Sequence, residues 1–314
     1  MILITGSAGF IGFHTALHFL KKGKKVVGID NLNNYYDPKF KKKRLSILKK
    51  DKNFYFIKSD LKKDITYKKL NKFKKKIIFI IHLAGQAGVR YSFINPYSYV
   101  NDNIYAYIKL LEYFKNSKKI RKLIYASSSS VYGDTKNKKI DKPISMYAIT
   151  KKSMELISTL YSTNNKMRIF GVRFFTVYGS YSRPDMSLYK FAKNISTGKP
   201  IDVFNKGNHF RSFTYIDDVI FNLEQLINFK SNKSFAKVVS IGNPMSVNLM
   251  YYISLIEKMT NKKSIKKMLP KQKGDVQKSV NNKVREKRFY GFKYKTNIKQ
   301  GIKNFFKWYD KKEI

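Results

Sequence analysis

Hydrophobic positions along the chain fall into short continuous runs separated by longer amphipathic stretches. Ile2 to Thr5, Lys25 to Asp30, Phe54 to Lys58, Ile77 to Leu83, Lys122 to Ser127 and Arg168 to Phe174 are rich in β-branched and aromatic residues and have the length of strands. Helical patterns lie between them. Strands that are apolar almost throughout, rather than at every second position, must be covered on both faces, which predicts a parallel sheet between layers of helix. After Thr176 the rhythm loosens. Glycine, proline and loop signals run from Tyr178 to Arg211 around one helix, Ser187 to Thr197. A helix over Ile216 to Asn228 and a strand near Val238 to Ile241 then return to the sheet, and Val247 to Ile314 reads as mostly helical. With no internal repeat or low-complexity linker, the expected architecture is an α/β doubly wound sheet. It takes residues 1–177 with 215–243, and a smaller, mainly C-terminal lobe of 178–214 and 244–314 interleaves with it.

The first strand runs directly into GSAGFIG, where Gly6, Gly9 and Gly12 precede a helical pattern reaching about Lys22. Glycine trios also serve ordinary turns; what distinguishes this one is its place between a strand and a helix. The free amides and dipole of the helix N-terminus suit a pyrophosphate, and residues without side chains let the backbone approach it. VVGID ends the second strand and places Asp30 where its carboxylate accepts from both ribose hydroxyls of an adenosine. A 2′-phosphate there would be repelled, so the expected cofactor is NAD rather than NADP. HLAGQAG, after the fourth run, supplies Ala84 and Gly85, small residues that let a dinucleotide lie across the strand ends. The expected fold is therefore Rossmann-type.

At the end of the fifth strand stand Ser127 to Ser130, followed by Val131, Tyr132 and Gly133; Tyr147 and Lys151 come next, four residues apart on one helical face. Tyrosine and lysine at that spacing alone are usually helix surface. After a glycine fingerprint and a hydroxyl-rich strand end they read as acid/base machinery. A free phenol near pKa 10 is a poor base at neutral pH, but an adjacent ammonium and a positive nicotinamide favour its phenolate. Tyr147 would take a hydroxyl proton as hydride leaves the same carbon, Lys151 would also hold the nicotinamide ribose, and Ser128 would bridge the substrate oxygen.

Composition narrows the chemistry. In 314 residues with 43% hydrophobic content there is enough apolar material for a full core. With no cysteine and four scattered histidines, thiolate chemistry is impossible and no metal centre is expected. The longest apolar run is too short to span a bilayer, and the chain starts on a strand rather than a signal peptide, so a cytoplasmic protein is expected. A formal charge of +45, from 65 Lys+Arg against 20 Asp+Glu, would suit a polyanion. The lysines, however, are spread through the chain, as in Lys39 to Arg44, Lys74 to Lys76 and Lys136 to Lys139, and no nucleic-acid motif accompanies them. The bias reads as compositional, with no specific nucleic-acid partner expected, though it would still attract an anionic substrate.

From Ile2 to about Trp308 the chain resembles UDP-glucuronate 4-epimerases, extended short-chain dehydrogenases/reductases. The resemblance rests on AGQAGVRYS at Ala84 to Ser92, YASSSSVYG at Tyr125 to Gly133, RFFTVYG at Arg173 to Gly179 and RPDM at Arg183 to Met186, with IDVFNKG, FTYIDD and LPKQKGDV fitting the same pattern. It implies inversion at carbon 4 of UDP-glucuronate to give UDP-galacturonate, NAD reduced and reoxidised in each turnover, and a place in polysaccharide biosynthesis. It also implies a homodimer packed through helices near Pro96 to Asn116 and Ser145 to Tyr161. Residue by residue, it puts Asp60 by the adenine amino group, unless that residue caps a helix, and Asn103 in the cofactor site. Ser128, Ser129, Ser130 and Thr176 fall around the sugar and its carboxylate, and Arg183 becomes the cation whose planar fork holds that carboxylate in two places. Arg211 and Gln272 fall near the diphosphate and Arg90 near the pocket mouth, although each of these three could be plain surface.

Three positions depart from the pattern. Gly85 stands where relatives usually show alanine, Ser212 where they commonly carry aspartate, and SVNN at Ser279 to Asn282 replaces a more acidic stretch. Rival activities are separable. A 4,6-dehydratase would need Asp-Glu where Ser129 and Ser130 stand, and a UDP-glucuronate decarboxylase usually carries glutamate at Ser130. A UDP-hexose 4-epimerase is distinguished by whether Arg183 faces the sugar. A non-catalytic nucleic-acid-binding protein has only the charge in its favour.

Overall fold

The computed structural model describes residues 1–134, 141–281 and 284–311; the lysine run at 136–139 and Asn282 lie outside them. Seven strands form one parallel sheet: β1 (Ile2–Thr5), β2 (Val26–Asp30), β3 (Phe54–Lys58), β4 (Phe79–His82), β5 (Lys122–Ser128), β6 (Arg168–Phe174) and β7 (Phe235–Ile241). Their spatial order is β7-β6-β5-β4-β1-β2-β3. Ile2 pairs with Val26 on one side and Phe79 on the other, so the chain's winding reverses at β1 and leaves a crevice at the carboxyl ends of β1 and β4.

Alternate residues of each strand feed two cores. Ile2, Ile4, Ile81, Ile124, Phe170 and Val172 face one layer, while Leu3, Val27, Ile80, Leu123 and Ile169 face the other. The helices are α1 (Phe10–Lys21), α2 (Pro38–Leu48), α3 (Asp64–Lys74), α4 (Ala106–Phe114), α5 (Met146–Asn165), α6 (Ser187–Ser196), α7 (Ile216–Asn228), α8 (Leu249–Thr260), α9 (Val284–Tyr290) and α10 (Ile298–Tyr309). The first core takes its helical side from residues such as Phe13 of α1, Leu223 of α7 and Phe305 of α10; the second takes Leu70 of α3, Leu110 of α4 and Met154 of α5.

The sequence reading needs correction in three places. β4 is shorter than the run Ile77 to Leu83, because its length is set by four residues of β1. β7 begins at Phe235, where pairing with Arg168 starts, and so is longer than its apolar end, Val238 to Ile241. The tail is not mostly helical. Val247–Asn248 and Lys278–Ser279 both pair with Phe210–Arg211, and Lys266–Leu269 pairs in parallel with Ile201–Phe204. Such short edges, two of them lysine-containing, are held by partners remote in sequence, which periodicity cannot reveal.

Candidate active site

One cavity of about 480 Å³ opens at the carboxyl edge of the sheet and is lined by the glycine loop, Asp30, Asp60, Ala84, Gly85, Ser128, Ser129, Ser130, Tyr147, Lys151, Thr176, Arg183 and Arg211. Arg90, Asn103 and Gln272 do not line it. Of the residues singled out from the sequence, most therefore converge on one space, and these three sit behind or beside it.

At the β1–α1 turn, Gly6 has φ +69° and a Cβ there would lie 2.7 Å from the Ala84 nitrogen. A Cβ on Gly12 would lie 2.0 Å from the Gly6 oxygen. The turn therefore closes only with glycine at these positions. Helix α1 begins after Gly9 without a side-chain cap, leaving its first amides available to an anion. Asp30 accepts from the amides of Ala8 at 3.1 Å and Leu32 at 2.8 Å, which fixes its carboxylate and leaves lone pairs for further donors. Asp60 accepts from the Lys62 amide at 2.9 Å in a local turn and from the Asn31 side chain at 3.2 Å. Gly85 has φ +153°, and a Cβ there would stand 2.5 Å from Asn103 Oδ1, which accounts physically for glycine at this position. Asn103 sits in a π-helical turn, Val100–Tyr105, where its amide donates to Gln86 O at 3.1 Å and Thr150 Oγ1 at 3.0 Å; its Oδ1 is buried without a partner among the described residues. Cradle, helix end and fixed carboxylate fit a dinucleotide.

The groups expected to react, Ser128, Tyr147 and Lys151, come from two elements. Ser128 ends β5 and caps the turn after it, accepting from the Ser130 amide at 3.1 Å. Helix α5 starts at the Ser145 cap, which accepts from the Ala148 amide at 3.1 Å, so Tyr147 lies in its first turn and Lys151 one turn later. Lys151 Nζ is 5.9 Å from the centre of the Tyr147 ring. Burial raises the Tyr147 phenol, while a hydrogen bond with Ser128 and the charge of Arg183 oppose that rise. Lys151 is buried and pushed down to about 8 by loss of water.

Arg183 is already paired. Its Nε donates to Asp185 Oδ1 at 2.9 Å, its Nη2 donates to Asp185 Oδ2, and its guanidinium carbon lies 5.6 Å from the centre of the Tyr35 ring. Arg211 is held by residues 275–277 at the cavity wall, donating to Asp275 at 2.9 Å and to the Gln277 carbonyl at 3.0 Å. Arg90 is exposed and packs on Phe204, 4.7 Å from the ring centre. Two of the departures noted above meet here: the Asn281 amide donates to Ser212 Oγ at 2.9 Å, and Ser279 Oγ lies 3.3 Å from Ser129 Oγ.

Residues 2–242 match the model of the NAD dependent epimerase/dehydratase family. The chain belongs to that family. NAD is accordingly its cofactor. Among its relatives is Protein CapI of Staphylococcus aureus, 40% identical over 98% of both chains. Another is a probable UDP-glucuronate 4-epimerase of Rhizobium meliloti (strain 1021), 37% identical over 98% of this chain and 96% of the relative. The crystal structure of UDP-glucuronic acid 4-epimerase from Bacillus cereus, in complex with UDP-glucuronic acid and NAD, superposes with a TM-score of 0.92. It is 31% identical and covers 99% of each chain. No helix among the described residues is long and apolar enough to cross a membrane, and they hold no cluster of metal ligands.

Several residues of the cavity were given no role from the sequence, although Ser279 was noted there as a departure. Tyr35, Lys41, Gln86, Met186 and Ser279 line the cavity. Lys41 Nζ donates to Asn33 Oδ1 at 2.6 Å. Arg44 is fully buried and donates to the carbonyls of Ala8 at 3.0 Å, Tyr181 at 3.0 Å and Ser182 at 3.2 Å, and to the Tyr36 hydroxyl at 2.7 Å. It thereby ties the glycine loop to the segment that carries Arg183. The one sequence signal was the polar, aromatic stretch NNYYDP after β2, which a loop reading passes over.

Proposed function

We propose that the chain interconverts UDP-glucuronate and UDP-galacturonate by inverting carbon 4 through a 4-keto sugar. The observation that carries this reading is Arg183 in the same cavity as Ser128, Tyr147 and Lys151, close enough for its charge to act on the phenol. When bound, NAD supplies reversible hydride acceptance at carbon 4. Tyr147 takes the proton of the 4-hydroxyl and gives it back to the same oxygen once the ring has turned its other face to the cofactor, with Ser128 bridging that oxygen. Lys151 favours the phenolate and holds the nicotinamide ribose. Ser129, Ser130 and Thr176 surround the sugar, Arg211 serves the diphosphate with Gln272 and Arg90 nearby, and Asp30, Asp60 and Asn103 belong to the cofactor side.

Residues 1–177 with 215–243 form the cofactor unit in this reading, and 178–214 with 244–314 the nucleotide-sugar lobe. We place the protein in the cytoplasm as a homodimer. Support for the dimer comes from large apolar side chains left in water on neighbouring elements, among them Ile94, Tyr97, Ile149, Leu156 and Leu160.

Incubating purified protein with UDP-glucuronate and following the product by NMR tests the activity. The expected product is UDP-galacturonate without net formation of NADH. A protein that inverts UDP-glucose but leaves UDP-glucuronate untouched overturns the reading in favour of a UDP-hexose 4-epimerase. That second activity has one observation behind it: Asp185 already neutralises Arg183, so a neutral sugar would not leave an unpaired cation.

A further inference from the structure

Arg183 carries five N–H donors in one plane, arranged as a side edge of Nε and Nη2 and an end edge of Nη1 and Nη2. Asp185 takes the side edge with both oxygens. Nη1 has no hydrogen bond among the described residues, so the end edge stays open to a second carboxylate. Asp185 lies two residues along the same segment, across Pro184, whose ring fixes one backbone torsion between them. The Tyr35 ring flanks the guanidinium. Arg183 thus has its plane set before any sugar arrives.

Why this matters follows from the keto intermediate. With a ketone at carbon 4, the carboxylate on carbon 5 belongs to a β-keto acid. Breaking the bond between carbons 5 and 6 releases carbon dioxide, its electron pair passes into the enolate of the ketone, and carbon 5 then takes a proton. The step is fast only when the breaking bond stands perpendicular to the carbonyl plane. A carboxylate held in the plane of a fixed guanidinium cannot reach that alignment by drifting with its partner.

We propose that Asp185 is a positioning and specificity-determining residue that locks the Arg183 fork and offers only its end edge to the uronate of the substrate. The role rests on UDP-glucuronate being the substrate. Asp185 stays an anion behind Arg183, outside the cavity lining: burial works against its charge, but the hydrogen bonds and charge of Arg183 hold its carboxyl below the usual range. A plain competitor for Arg183 would instead have to leave before substrate bound, and its removal would tighten binding.

The test uses NAD-loaded wild type, Asp185→Asn and Asp185→Glu. For each, calorimetry gives the affinity for UDP-glucuronate and UDP-glucose, and NMR gives the ratio of epimer to pentose product. Asp185→Asn is expected to weaken UDP-glucuronate about tenfold or more while changing UDP-glucose less than about threefold. The pentose share should rise, and Asp185→Glu, which keeps the charge, should recover part of both losses. Tighter uronate binding by Asp185→Asn, or affinities and product ratio equal to wild type, overturns the role of Asp185 alone. A wild type that does not prefer UDP-glucuronate overturns the substrate reading, and this proposal with it.

Discussion

An ammonium buried without a carboxylate lowers the stability of the fold that holds it, and Lys151 is in that position. Its Nζ lies 3.7 Å from the Met154 sulfur, and burial pushes it down to about 8. The folded value lies below the unfolded one near 10.4, so the unfolded chain binds more protons between them. The penalty is full below about pH 8 and fades as pH rises toward the unfolded value. Lys151→Met should therefore raise the melting temperature of cofactor-free protein at pH 7, by a gain on the order of 1–3 kcal/mol, and raise it much less at pH 10. Turnover should be lost at both. Thermal melts at the two pH values check this, and a variant that melts below wild type at pH 7 would refute it. Tyr147→Phe isolates the proton transfer: the ring and its edge contact with Tyr99, 6.0 Å between centres, remain. Turnover should fall by roughly 100 to 10,000-fold. NAD binding and melting should be unaffected, and near-normal turnover in a chemistry-limited assay would remove Tyr147 from its role.

Between elements, a charge network ties the helix that carries Tyr147 to the strand that ends at Ser128. Glu155 of α5 accepts from Ser127 of β5 at 2.7 Å and from Arg173 of β6 at 2.7 Å. Arg173 also reaches Asp141 at 2.6 Å, and Lys152 reaches the same carboxylate at 2.5 Å. These bonds pin the catalytic helix to the two strands that end at the site. Glu155→Gln takes from Arg173 one of its two carboxylates and leaves it Asp141, so it should destabilise the protein by about 1–3 kcal/mol and lower kcat more than it raises KM. Denaturant melts and steady-state kinetics measure both; an unchanged kcat would confine the network to stability. Burial opposes the charge of Asp141, yet the bonds from Arg173 and Lys152 hold it below the carboxylate norm. Its stabilisation is complete above the unfolded value near 4 and is lost as pH falls through the folded one. The same contrast explains what the sequence could reveal. β1, β2, β3 and β6 were legible because strands covered on both faces are continuous apolar runs, and α7 because its stripe repeats. Gly6, Gly9, Gly12, Tyr147 and Lys151 act through local spacing, which a chain displays directly. Arg44 and Ser279 acquire their places from segments brought together by folding, and Ser212 meets Asn281 across 69 positions, where no periodicity carries information.

Across the whole molecule, two features oppose each other. Tyr97 is 79% exposed, Leu156 63% and Leu160 58%, on segments that pack side by side, whereas the chain as a whole carries a formal charge of +45. Burying such side chains between two copies contributes about 25 cal/mol for each Å² of apolar surface. Bringing two strongly cationic bodies together costs Coulomb energy that is long-ranged at low salt and is cut off within about 10 Å at 0.1 M ionic strength. Most interfaces rich in ion pairs weaken as salt is added. This one should strengthen, because salt screens the repulsion and leaves the apolar contact intact. Sedimentation equilibrium at about 50 mM and about 500 mM NaCl should therefore show a tighter dimer at the higher salt. Leu156→Glu should weaken it at both concentrations by placing a charge in the buried patch, without loss of NAD binding. A dimer that loosens with salt, or one that ignores Leu156→Glu, would place the contact on another face of the molecule.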